Sequence, residues 1–203
     1  VIPIPKKPNV NSTQSDNYRG IALSSCFCKI LDNIILAKHV DKLNTSELQF
    51  GFKRKSSTHM CTMVLKETLS YYVSNNSNTF CTFLDATKAF DRVNYCKLFH
   101  LLIKRGLPAS VIRILIVMYT RHCVRVAWAG LASSFFNAVN GVKQGGVLSP
   151  ILFCIYMDDL LVKLHKSGVG CYIGTAFVGA LAYADDIVLL APSPSAMRKL
   201  LSV

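Results

Sequence analysis

Acidic residues are scarce in this chain. Eleven Asp and Glu stand against 23 Lys and Arg in 203 residues, a formal net charge of +12. That shortage leaves polyanions as the favoured partners, either nucleic acid or an anionic membrane surface. The cations are spread along the chain, as in a folded protein with a basic groove rather than one with a basic tail. Long apolar runs are missing too. None approaches the ~18 residues of a membrane span: Arg113 interrupts the run at 111–119, and Pro150 and Asp158 bound the next. No membrane association is expected. The eight cysteines lack zinc-finger spacing, with Cys26 and Cys28 the only close pair. They are expected to be buried, reduced thiols of an intracellular protein. No signal peptide, internal repeat or low-complexity segment is visible in these residues. The first residue is Val and a helical segment stops abruptly at Val203, so the chain is expected to be a piece of a longer one, truncated at its C-terminus.

What is present is apolar. Half of the residues are hydrophobic, enough for one large domain or two small lobes. Residues 1–20 open as a Pro-restricted extended segment followed by a polar loop. Phe27, Ile30, Leu31, Ile34, Ile35 and Val40 recur at helical spacing and predict a helix within 22–43. A second helix is expected over 58–74, a strand over 79–85, helices over 95–105 and 108–121, and a hairpin of 122–129 with 134–140 around Gly130. Gly141 to Pro150 is a glycine-rich approach to a helix, with Ser149 as its cap and Pro150 in its first turn. That helix ends at Gly168 and Gly170. A hairpin and a short helix from about Ser195 complete the chain.

Six of the eleven acids, Asp85, Asp91, Asp158, Asp159, Asp185 and Asp186, lie in or beside strongly apolar stretches. Asp185 and Asp186 separate two β-type runs, and the simplest reading is a tight turn that carries both. Two like charges beside a core repel and resist burial, and a divalent cation removes that conflict. Asp85 ends another apolar strand. Three carboxylates on neighbouring strand ends can hold two divalent cations ~3.5–4 Å apart, and Mg²⁺ suits such hard oxygen ligands. Tyr156-Met157-Asp158-Asp159 resembles, as a bare tetrapeptide, the catalytic signature of retroviral polymerases. It lies within a helix whose Phe153, Met157, Leu160 and Leu164 form one stripe, so Asp158 and Asp159 are expected on its polar face. Lys53, Arg54 and Lys55 follow Phe50-Gly51-Phe52 in a loop suited to touching phosphate.

Taken in order, these stretches resemble a known family. Phe83-Leu84-Asp85-Ala86-Thr87-Lys88-Ala89-Phe90-Asp91, then Gly141-Val142-Lys143-Gln144-Gly145-Gly146 with Leu148-Ser149-Pro150, then Tyr183-Ala184-Asp185-Asp186 are similar to reverse-transcriptase motifs A (83–91), B (141–150) and C (183–186). Ala184 before the Asp pair resembles the non-LTR and group II intron side of that superfamily. Ile4-Pro5-Lys6-Lys7, Asn17 to Leu23, Lys29-Ile30-Leu31 and Gln49-Phe50-Gly51-Phe52 resemble the fingers of non-LTR (LINE-type) retrotransposon enzymes.

The resemblance implies an α+β right hand: an antiparallel palm sheet backed by helices, a mostly helical fingers lobe, and no thumb. It implies fingers at 1–78 and palm at 79–203, with 95–140 connecting them. The implied activity is RNA-directed DNA polymerisation by two-metal nucleotidyl transfer during retrotransposition. Asp85 and Asp185 would bind both Mg²⁺ ions (or Mn²⁺ in their place), Asp186 would complete the site, and the Ala86 carbonyl would help. Phe90 would exclude a ribose 2′-hydroxyl, and Gln144 and Gly145 would line the nucleotide pocket. Lys53 and Arg54 would approach the triphosphate, and Arg19 the template or nucleotide. Implied partners are an RNA template, a DNA primer, dNTPs and absent thumb and endonuclease domains; the implied location is cytoplasm and nucleus. Lys143 stands where many relatives have Pro, and Ser56 where many have a second Arg. The competing readings are a group II intron maturase core and a non-catalytic nucleic-acid-binding remnant of a decayed element. The presence of Asp85, Gln144, Asp185 and Asp186 together counts against the remnant.

Overall fold

The computed structural model describes residues 1–8, 11 and 13–203. In chain order the elements are β1 (Ile2–Pro5), β2 (Tyr18–Ile21), α1 (Cys26–Lys38), α2 (Thr58–Ser74), β3 (Phe80–Leu84), α3 (Tyr95–Lys104), α4 (Ala109–Thr120), β4 (Cys123–Val124), β5 (Ala127–Trp128), β6 (Leu131–Ala132), β7 (Phe136–Asn137), α5 (Ser149–Lys166), β8 (Tyr172–Ile173), β9 (Ala176–Phe177), β10 (Ala180–Tyr183), β11 (Asp186–Ala191) and α6 (Pro194–Leu201). Part of the polar loop expected within 1–20 lies outside the described residues. No helix among the described residues is long and apolar enough to cross a membrane.

The chain divides into two compact units. The first takes residues 1–43 and 90–152. Its β1 and β2 pair antiparallel, Ile2 opposite Ile21 and Ile4 opposite Arg19. Helices α1 and α3 start where a side-chain oxygen can accept an otherwise orphaned N–H: Ser25 accepts from Cys28 N at α1, and Asn94 from Lys97 N at α3. Leu98 and Leu102, one helical turn apart on α3, and Leu115 on α4 are fully buried, as helical spacing requires of a core face. The expected hairpin after α4 is two nested ribbons, β4 with β7 and β5 with β6.

The second unit takes residues 44–89 and 153–203. At its heart is an antiparallel sheet of order β10-β11-β3. Successive residues of a strand face opposite sides, and β11 has both faces covered. Ile187, Leu189 and Ala191 join Leu161 and Leu164 of α5 and Met197 and Leu200 of α6 in one apolar cluster. Val188 and Leu190 join Cys61, Cys171 and Leu181 in another, against Val64, Leu65 and Leu69 of α2. That is why Ile187 to Leu190 reads as an unbroken apolar run. The α+β class and the antiparallel sheet match the expectation.

Four local expectations are corrected. Asp158 is not on a solvated face: it is buried, and its Oδ1 accepts from Ser46 N at 2.8 Å. Helix α5 is covered nearly all round, so it keeps no polar side there; Asp159 pairs with Lys163 at 3.3 Å. Ser149 is the first helical residue rather than the cap; it is buried with its hydroxyl 3.3 Å from that of Tyr119. The N–H of Leu148 instead donates to Asp32 Oδ2 at 3.4 Å. All eight cysteines are free, but only Cys61, Cys154 and Cys171 are buried; Cys26, Cys81, Cys96 and Cys123 are exposed. Finally, Asp186 is not a turn residue, as described next.

Candidate active site

The second unit brings three carboxylates together. Tyr183 pairs with Asp186 in the β10–β11 ladder, so the loop between the strands is only Ala184 and Asp185, and Asp186 begins β11. Ala184 has φ +59°, a left-handed conformation that glycine usually occupies at the first position of such a loop. A residue with a Cβ is disfavoured there by roughly 1–2 kcal/mol. On the other side of β11, Leu84 pairs with Ile187. One step further along that register, Asp85 falls beside Asp186.

Electrostatics agree with the register. Local burial, then the charges of Asp185 and Asp85, hold the Asp186 carboxyl above its ordinary value of 3.8. Among the described residues no three His, Cys, Asp or Glu side chains already close round a point as a metal cage. The carboxylates are neighbours, and the charges of Asp185 and Asp85 add to burial in raising Asp186.

A raised carboxyl pKa favours the protonated folded state. The stability it contributes is therefore complete below the unfolded value and is lost as pH rises through the folded one. In metal-free buffer, stability is expected to fall as pH climbs through this window above 3.8, and Asp186→Asn should flatten the slope. Urea titrations at a series of pH values check this; an unchanged slope in the variant would assign the effect to another group.

Sequence reading missed the residue that holds the turn. Gln49 is fully buried. Its Oε1 accepts from Ala184 N at 2.9 Å and Gly51 N at 2.8 Å, and its Nε2 donates to Ala184 O at 3.2 Å. The signal available was a Gln inside the apolar stretch Leu48-Gln49-Phe50, where a polar side chain needs internal partners.

The three consecutive cations at 53–55 separate. The ammonium of Lys53 donates to Thr45 O at 3.3 Å, Ser46 O at 3.2 Å and Glu47 Oε1 at 3.2 Å, which uses its three protons. Arg54 and Lys55 are exposed.

The remaining expected site residues except Ala86 belong to the first unit. The Phe90 carbonyl accepts from Val142 N at 2.8 Å, which ties motif A to the start of motif B. Gln144 Nε2 donates to Asp91 Oδ1 at 3.2 Å, and its carbonyl accepts from Ala22 N at 2.7 Å. Gly145 has φ +97°, and a Cβ there would lie 3.2 Å from Ala22 O. Arg19 is exposed in β2, three residues before Ala22. Burial lowers the Lys143 pKa, and its ammonium lies 5.5 Å from the centre of the Tyr119 ring. Ala86 follows β3 directly after Asp85 and is exposed in the second unit.

Comparison with known proteins gives a consistent picture. The family model described as reverse transcriptase (RNA-dependent DNA polymerase) matches residues 4–203. The Drosophila melanogaster Pol polyprotein of the type-2 retrotransposable element R2DM is 29% identical over 98% of this chain. The probable RNA-directed DNA polymerase from transposon X-element of the same organism is 31% identical over 79% of it. The chain spans 18% of the length of each of these relatives. Among solved structures, apo telomerase from Candida tropicalis superposes with a TM-score of 0.60 at 15% identity, over 86% of this chain and 36% of that one. That likeness concerns the fold.

Proposed function

The chain belongs to the reverse transcriptase (RNA-dependent DNA polymerase) family, and we propose that it is the catalytic core that copies an RNA template into DNA for a non-LTR retrotransposon. The observation that supports this most is the meeting of Asp85, Asp185 and Asp186 at adjacent strand ends, with the Asp186 carboxyl raised by local burial and then by the charges of the other two. The donor set is all oxygen and all anionic, which fits Mg²⁺ or Mn²⁺. Asp85 and Asp185 would be the principal ligands, Asp186 a weaker one, and the Ala86 carbonyl an additional oxygen. Two such cations, held by these residues, would supply positive charge beside a primer hydroxyl and a pyrophosphate leaving group.

The protein's own share is positioning and charge. Phe90 is assigned to pack beneath the sugar and exclude a 2′-hydroxyl. Gln144, oriented by Asp91, and Gly145 are assigned to the nucleotide. Arg19 is assigned to the template strand, and the wider basic surface to duplex phosphates, without sequence reading. Functionally we take 1–78 as fingers and 79–203 as palm. An enzyme that copies an element's RNA into chromosomal DNA works in cytoplasm and nucleus, and we assign it there.

Primer extension on an RNA template by the full-length gene product, with dNTPs and Mg²⁺, tests the proposal. Template-directed DNA synthesis is expected; RNA binding with no synthesis under Mg²⁺ or Mn²⁺ would favour the decayed remnant. Within the fingers, the occupied ammonium of Lys53 shifts the triphosphate role to Arg54. Arg54→Ala is expected to raise the dNTP KM about tenfold, the worth of one charge-assisted contact. Lys53→Ala should chiefly lower thermal stability; the reverse pattern would restore Lys53 as the phosphate ligand.

A further inference from the structure

Ala184 and Asp185 form the two-residue loop between β10 and β11, and its first member, Ala184, sits at φ +59°. An alanine does not choose that conformation for itself, because its Cβ crowds the backbone there. Something outside the loop must hold it. The segment Leu48-Gln49-Phe50-Gly51 runs alongside β10 in the same compact unit. Ala182 N donates to Leu48 O and Phe50 N donates to Ala182 O, both at 2.8 Å, with Gln49 bridged to Ala182 in parallel register. Among the described residues no strand partner continues beyond that bridge. The Gln49 side chain takes over, accepting from the N–H of Ala184 and donating to its carbonyl.

We infer that Gln49 is a positioning residue for the metal-binding carboxylates: its buried carboxamide holds the Ala184 backbone in the left-handed conformation and so sets the direction in which Asp185 and Asp186 project. This rests on the reading of those carboxylates as ligands of divalent cations. A carboxamide is suited to the task because it carries an acceptor and a donor side by side, as a peptide group does. Its oxygen also accepts from Gly51 N, which fixes the amide's orientation. An ionised glutamate keeps the acceptor, loses the donor, and brings a charge against the Ala184 carbonyl. Methionine keeps the length and loses both. Gly51 completes the device by letting the two backbones approach: a Cβ at Gly51 would lie 2.9 Å from Ala184 Cα.

The experiment uses the full-length gene product and its variants Gln49→Met, Gln49→Glu, Gln49→Met with Ala184→Gly, and Asp185→Asn. Each is titrated with Mn²⁺ alone, free ion being read by electron paramagnetic resonance, and each is assayed for kcat and dNTP KM. Both Gln49 variants should weaken the Asp185-dependent Mn²⁺ binding by about tenfold or more, the usual effect of removing a group that orients a ligand. The kcat should fall with it, while dNTP KM moves less than about threefold, because nucleotide contacts are untouched. The Ala184→Gly change should restore most of the lost Mn²⁺ affinity, since glycine adopts a positive φ without the side chain's cost.

Wild-type Mn²⁺ affinity and kcat in a Gln49→Met protein with a lowered Tm would overturn the inference and leave Gln49 as packing. So would a loss that Ala184→Gly does not relieve. If Gln49→Met does not fold, Gln49→Glu decides in the same way. Mn²⁺ binding unchanged in Asp185→Asn would remove the underlying metal reading, and the inference with it. Binding lost in Asp185→Asn but kept in both Gln49 variants would sink the inference alone.

Discussion

Asp185→Asn is expected to lower primer extension about a thousandfold or more, several kcal/mol of transition-state stabilisation, while the affinity for template–primer stays within about threefold. The asparagine keeps the shape of the turn and removes one negative charge from the carboxylate group. The matched control is Asp158→Asn in the other Asp-Asp pair. Asp158 is buried and accepts from Ser46 N; an asparagine can still offer an oxygen to that N–H. Extension by Asp158→Asn is expected within a few-fold of wild type. Asp158→Ala, which removes the acceptor of the half-buried Ser46 N–H, should cost about 1–3 kcal/mol of stability, read by urea unfolding. Extension that survives Asp185→Asn and disappears in Asp158→Asn would move the metal site to the helix.

Gly51→Ala is expected to damage both stability and catalysis. Its Cβ would lie 2.9 Å from Ala184 Cα and closer still to Ala184 N. Both obstacles are backbone, which cannot swing aside, so one strand must shift. A cost of about 2–4 kcal/mol follows from overpacking of this kind. The shift falls on the residue before Asp185, where a displacement of ~1 Å can cost about a hundredfold in rate. Gly146→Ala is the contrast. Its Cβ would lie 2.5 Å from Ser149 Oγ, the far end of a rotatable side chain, and a milder loss is expected. Thermal unfolding and kcat measured on both variants check the difference; equal losses would mean that the segment around Gly51 yields as readily as a hydroxyl.

Much of the site was legible because its chemistry is carried by residue types in a fixed order. Asp85 at the end of an apolar strand and Asp185-Asp186 between two more announce paired carboxylates whatever the fold around them. Helix limits were legible where caps are local: Ser57 before Thr58, and Asn94 before Tyr95, accept N–H groups three residues on. The Asp158 environment was not legible. Helical periodicity assigns Asp158 to a face, and only long-range packing decides whether that face meets water. The same holds for Lys53: three neighbouring cations look equivalent in sequence, and a loop folding back through Thr45 to Glu47 singles one out.

By itself, the sequence determined which groups could do chemistry: a basic chain, three carboxylates at strand ends, a glycine-rich loop with Gln144, and three consecutive cations after Phe50-Gly51-Phe52. Periodicity of two and 3.6 determined most of the elements that carry them, because those periods arise from neighbours along the chain. The tertiary structure decided which of these groups are available and how they are aimed. It buried Asp158, occupied Lys53, moved Asp186 from the turn into β11, and set a buried glutamine 135 residues away from Ala184 against the loop that carries Asp185. Those outcomes depend on hydrogen bonds and packing between segments far apart in the chain, and no local pattern of residues encodes them.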